Sequence, residues 1–195
     1  LNSPNNPTGV VYPAAALMAV GAVLARAEAR YGHTIYLVSD EPYAKLVYDG
    51  LSYPFVYEHH AASIGVVSYS KDLSLAGERI GYVAVSPQCP DRQPLMDALI
   101  FSNRVLGFVN APALMQRAVE ALQGVAVDVG WYQARRDRLY QGLTALGYDV
   151  VKPEGAFYLF PRSPLPNDID FVKELLNFQV LVVPGSGFGR PGYFR

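Results

Sequence analysis

Apolar positions along this chain fall into long runs with helical character and short runs with strand character. The longest, residues 10–25, is nearly continuous, yet it contains Pro13 and Gly21 and stops at Arg26. It is shorter than the ~20 residues a membrane span needs, so it reads as a buried helix. Pro13 suits a first helical turn, residues 14–31 are mostly strong helix formers, and Gly32 is a natural stop. Three short β-rich runs follow: residues 34–38, ending in acidic residues; "SIGVVSYS", from Ser63; and "RIGYVAVS", residues 79–86. Continuous apolar strands separated by helices predict an α/β fold, with a mostly parallel sheet covered by helices on both faces.

The second half changes character. Met115, Ala118, Val119 and Leu122 share one helical face, and Gly124 stops it. Asp128 is placed to cap a long helix over about 128–147. Tyr132, Leu139, Leu143 and Leu146 are its expected buried stripe, and Arg135, Arg136 and Asp137 its wet face. "GAFYLFPR" then reads as a strand, residues 170–178 as an amphipathic helix, and "QVLVVPG" as a strand. The expected organisation is therefore a larger α/β part over residues 1–138. A smaller α+β part over 139–195 is joined to it through the long helix.

Composition sharpens this picture. Of 195 residues 51% are hydrophobic and 17% charged, which predicts an ordered, well-buried fold. The net charge is −1 and no basic block stands out, which argues against a nucleic-acid surface. The single cysteine, Cys89, excludes an intrachain disulfide and suits a reducing compartment such as the cytoplasm. No signal peptide, membrane anchor or metal-ligand spacing is read. The chain opens on "LNSPNNPTG" without an initiator Met and closes on "PGYFR", so both ends read as cut.

Four stretches can carry chemistry. In "SPNNPTG" two Asn-Pro neighbourhoods stiffen a turn and can fix the Asn6 amide, with a cis bond before Pro7 compatible. In "SDEPYAK", Asp40 ends an apolar strand, and Tyr43 follows. Such a carboxylate is either a helix N-cap or the partner of a cationic ligand nitrogen. In "SYSKDLSLAGERIGY", Ser68, Ser70 and Lys71 close one strand and Arg79 opens the next. Two hydroxyls and a guanidinium fork suit a phosphate. Lys71 is a strand-end lysine reaching water, a phosphate-binding cation, or a Schiff-base amine. "PGSGFGRPGYFR" is a glycine-rich loop leading to Arg195, without the strand–GxGxxG–helix order of a nucleotide fingerprint. Together these groups complement a phosphate, a ring nitrogen, a ring oxygen and an aldehyde, which is the description of pyridoxal 5′-phosphate.

In their order and spacing these motifs resemble the class I/II aminotransferases, fold-type I enzymes that use pyridoxal phosphate. Lysine, seven residues, then Arg-Ile-Gly-Tyr is the most specific match. The resemblance implies that Asn6 and Tyr43 bond the ring oxygen of the cofactor and that Asp40 pairs with its ring nitrogen. Ser68, Ser70 and Arg79 would hold the phosphate, and Lys71 would take the aldehyde and act as the catalytic base. Arg195, beside Asn6, would receive the substrate α-carboxylate. It implies amino-acid and keto-acid substrates, a homodimer, and no nucleic-acid or membrane partner. Arg104 lies near where the family can present a second arginine from the partner subunit; a solvated helix-end arginine is the plainer reading. The family also has an N-terminal portion and a C-terminal continuation without counterpart here, so the chain is expected to be a fragment. The alternatives are another fold-type I reaction, a β-lyase or a synthase, or a non-enzymatic regulator domain.

Overall fold

Helix formers from Ala14 onward build the first helix, α1 (Ala14–Tyr31). Gly32 ends it in the left-handed region, φ 70°, its N–H returning to the Glu28 carbonyl at 2.8 Å. Leu17 and Gly21 face inward. A Cβ on Gly21 would collide with the His59 carbonyl, so this glycine sets how closely the helix approaches that backbone. The computed structural model describes residues 1–195 as two compact units. One comprises residues 1–3, 12–45 and 52–127, the other residues 4–11, 46–51 and 128–195.

In the first unit, β1 (Leu37–Asp40), β2 (Ser63–Ser68) and β3 (Gly81–Val85) form a sheet in that order. Strand β1 pairs parallel with β2, from Leu37 opposite Ser63 to Asp40 opposite Val66. Asn2 adds a parallel bridge on the outer side of Asp40. Strand β3 returns antiparallel, with Ser68 opposite Gly81. The connection between β2 and β3 is short, and its one-turn helix α2 (Tyr69–Asp72) and 3-10 turn (Ala76–Glu78) reverse the chain instead of carrying it across the sheet. The α/β class is as expected, with this antiparallel edge added. Lys71 does not close a strand: β2 stops at Ser68, and Lys71 lies on α2. Nor does Arg79 open one; it ends the 3-10 turn at φ 52° and the strand begins at Gly81.

Leu17, Leu37 and Val56 form one core cluster, with Tyr12, Val20, Leu24 and Tyr57 packed against it. Each such buried aliphatic contributes about 1.5–3 kcal/mol. Tyr69, Ile80 and Val119 form another, which seats α2 against α4 (Ala113–Ala121). Helix α3 (Arg92–Val105) buries none of its residues fully, although Leu95, Met96, Leu99 and Ile100 recur at helical spacing. No helix is long and apolar enough to cross a membrane.

In the second unit Asp128 caps α5 (Val129–Ala145), accepting from the Trp131 N–H at 3.0 Å. The expected stripe is not buried: Leu139 and Leu146 are exposed, and Arg136, expected on the wet face, is 4% exposed. Its guanidinium donates to the Pro153 carbonyl and, at 2.8 Å, to Asp49 Oδ1, and it lies over the Tyr48 ring. Acceptors brought by distant segments thus invert the face that local pattern assigns. Asn167 caps α6 (Asp168–Leu176), which starts earlier than the expected 170 because the Asn167 carboxamide accepts from the Ile169 N–H. The two expected C-terminal strands reduce to isolated bridges, Gly155 with Val47, Arg162 with Tyr193 and Pro184 with Phe194. Pro161 and Pro184 each remove a ladder donor from those segments.

Candidate functional site

In the first unit the candidate residues leave one edge of the sheet. Asp40 is the last residue of β1 and stands opposite Val66. Ser68 lies two residues farther along β2, about 7 Å at strand rise. No α-helix follows Asp40 directly, so it is not a helix N-cap. The Asn2 side-chain amide donates to Asp40 Oδ2 at 3.1 Å and to its carbonyl at 3.2 Å. Burial pushes the Asp40 carboxyl above its ordinary range, and the Asn2 bond opposes that shift. Tyr43 follows in a tight turn and is buried.

Ser68 is both the end of β2 and the cap of α2. Its Oγ accepts from the Ser70 N–H at 3.2 Å and donates to Ser70 Oγ at 2.8 Å. The two hydroxyls and Lys71 therefore belong to one turn. Tyr69, between them, anchors that turn in the core and is bonded through its N–H to the Ile80 carbonyl. Arg79 is exposed, and Nη1 donates to the Ala76 carbonyl at 3.0 Å. The result is a strand-end carboxylate, a hydroxyl pair, an amine and a guanidinium fork on neighbouring loops.

In the second unit, the Asn5 side chain folds the Asn-Pro loop, accepting from both the N–H and the hydroxyl of Thr8. The Asn6–Pro7 bond is cis. Arg195 Nη1 donates to Asn6 Oδ1 at 2.8 Å. The Arg195 guanidinium lies 4.5 Å from the Tyr158 ring centre and 4.8 Å from that of Phe188. Its backbone exchanges two bonds with Val183, so both ends of the residue are fixed. A guanidinium held this way keeps donors for a bidentate carboxylate. Beside it is a groove of about 500 Å³, lined by Asn6, Phe160, Phe188, Arg190 and Tyr193 among others.

Several supporting residues carry no signal in local pattern. Asn2 bonds Asp40. Asp168, 3% exposed, accepts from the Ser186 N–H at 2.7 Å and so pins the glycine-rich loop before Arg195; that bond holds its carboxyl below the ordinary range. Glu41 is buried, and burial raises its carboxyl. Lys45 pairs with the buried Asp72 at 3.2 Å. Lys45 and Asp72 stand inside motifs whose other residues drew attention, and adjacency to Tyr43 and Lys71 was the available clue.

The family model for aminotransferase class I and II matches residues 1–195. A probable aspartate/prephenate aminotransferase of Thermus aquaticus is 36% identical over all of this chain and 50% of its own length. The aspartate aminotransferase of Bacillus subtilis is 35% identical over all of this chain and 51% of its own. Among solved structures, an amino transferase from Eubacterium rectale superposes with TM-score 0.95 at 40% identity, covering 100% of this chain and 49% of that one. The aspartate aminotransferase of Thermotoga maritima gives 0.80 at 30%, with coverages of 100% and 49%. The chain spans about half the length of the curated relatives it matches.

Proposed function

The chain belongs to the aminotransferase class I and II family, and from that premise we propose that it carries the reactive centre of a pyridoxal-phosphate-dependent aminotransferase. The exchange moves an amino group between an L-amino acid and a 2-keto acid. The observation that carries this reading is the α2 turn. It sets Ser68, Ser70 and Lys71 together at the same sheet edge as Asp40. Two hydroxyls, the exposed Arg79 fork and a lysine fit a phosphorylated aldehyde. A carboxylate at the strand end fits its ring nitrogen.

When bound, pyridoxal phosphate supplies an aldehyde that exchanges with amino groups and a protonated ring that accepts the electrons left at Cα. Asp40 would hold the proton on the ring nitrogen. Tyr43 and Asn6 would each donate to the ring oxygen. Ser68, Ser70 and Arg79 would hold the phosphate. Arg195 takes the substrate α-carboxylate in a two-bond clamp, oriented by Asn6. Lys71 would engage the aldehyde and would supply the amine that carries a proton between Cα and the former aldehyde carbon. The complete protein is read as a cytoplasmic homodimer.

The test is incubation of the full-length protein with an amino acid and a keto acid. Appearance of the exchanged pair supports the proposal. Release of pyruvate and ammonia without exchange would sink it in favour of a lyase.

The relatives' names point to aspartate as donor. Arg104, exposed in the last turn of α3, is proposed to read the second carboxylate from the partner subunit. Arg104→Ala is expected to slow aspartate and glutamate turnover by about 10- to 100-fold, the worth of one charged bond, and to spare neutral amino acids. Steady-state kinetics with both substrate classes checks this; equal loss for both counts against it.

A further inference from the structure

Asp72 directly follows Lys71, yet it points inward and is 3% exposed. Its Oδ2 lies 3.2 Å from Lys45 Nζ, and its Oδ1 has no hydrogen-bond partner. Lys45 Nζ also donates to the Val125 carbonyl at 3.2 Å. The Val127 N–H donates to the Asp72 carbonyl at 2.7 Å. These bonds tie three separate segments at one point: the turn that carries Tyr43, helix α2 that carries Lys71, and the stretch at 125–127. Asp72 is buried but the Lys45 side chain is 41% exposed, so water screens the pair and it adds little net stability. What it supplies is a fixed geometry.

We propose that the Lys45–Asp72 pair is a positioning device for Lys71, holding α2 so that the Lys71 amine meets the cofactor aldehyde. The inference rests on the reading of Lys71 as the reactive amine. Neither Lys45 nor Asp72 touches the cofactor; both act through the turn. An amine displaced by about an ångström reacts up to about 100-fold more slowly. Ser70 shares α2 with the amine, but Ser68 stands on β2 and Arg79 beyond α2, so most of the phosphate grip does not depend on where the amine stands.

That separation gives the experiment. In the full-length protein, stopped-flow absorbance measures the rate at which pyridoxal phosphate is captured by Lys71. A binding titration measures affinity for pyridoxamine 5′-phosphate, which has no aldehyde to capture. Lys45→Met is expected to slow capture about 10- to 100-fold, with affinity for pyridoxamine phosphate held within about threefold. Asp72→Asn, which leaves no buried charge to destabilise the fold, is expected to give the same split. In the Asp72→Asn background the Lys45→Met effect should vanish, since the partner is already gone. Lys45→Arg should retain most of the capture rate. Unchanged capture in both single variants overturns the proposal, as does an equal fall in capture and affinity or full additivity in the double variant. If the wild-type protein itself shows no capture, the aminotransferase reading fails with it, and that outcome is distinct from a wild-type protein that captures and variants that capture equally well.

Discussion

Lys71→Ala is expected to abolish the visible absorbance that develops when pyridoxal phosphate meets the full-length protein, and to lower amino-group exchange by more than about 10³-fold. Both roles proposed for Lys71 are lost at once. The amine that takes the aldehyde is gone, and so is the base that moves the Cα proton. Lys71→Arg should not restore either, because a guanidinium stays protonated. The Ser68–Ser70 hydroxyl pair is untouched by both changes, since its bonds run between the two serines and the α2 backbone. Affinity for pyridoxamine 5′-phosphate should therefore stay within about threefold. Persistent absorbance and exchange in Lys71→Ala would show that the α2 turn is not the reactive centre.

Arg136→Ala is expected to be the most destabilising single change in the second unit. The substitution leaves the Pro153 carbonyl without its donor, which costs about 1–3 kcal/mol. Loss of the guanidinium from the Tyr48 ring, 4.8 Å away, costs about 1–2 kcal/mol more. A fall in Tm of about 5–10 °C follows, measurable by differential scanning calorimetry. The Tyr48 phenol, pushed up to about 12 mainly by burial, stays protonated and keeps donating to the Ala156 carbonyl. Asp49→Asn should cost under about 1 kcal/mol, because Asp49 is more than a third exposed and its partner retains other bonds. A larger loss for Asp49→Asn than for Arg136→Ala would reverse this assignment.

These two residues mark what the sequence did and did not disclose. The grouping of Lys71 with Ser68 and Ser70 was legible because the spacing is specific: hydroxyls two residues apart before it and an arginine after a fixed gap. Helix α1 was legible because propensity, an inward face and a terminal glycine agree. Arg136 was not, because helical pattern scores a charged residue as wet, and only segments far along the chain bring the carbonyl and carboxylate that bury it. The C-terminal strands failed for a related reason: apolar residues forecast extension, but ladder formation depends on partners and on where proline removes donors. Asp72 and Lys45 stand inside the quoted motifs yet drew no reading of their own, since pairing across 27 positions leaves no periodic trace. Local grouping was recoverable; what holds it in place was not.

The bond between Arg195 and Asn6 spans 189 positions. On a ribosome adding about 5–20 residues per second, Asn6 waits roughly 10–40 s for that partner to be made. In that interval β1, β2 and α2 have all emerged and can pair by contacts close in sequence. Assembly during synthesis is therefore ordered by chain distance: the α2 turn is available early, and the Arg195–Asn6 bond closes late. A nascent chain halted before Arg195 would hold a finished α2 turn while Asn6 still lacks this partner.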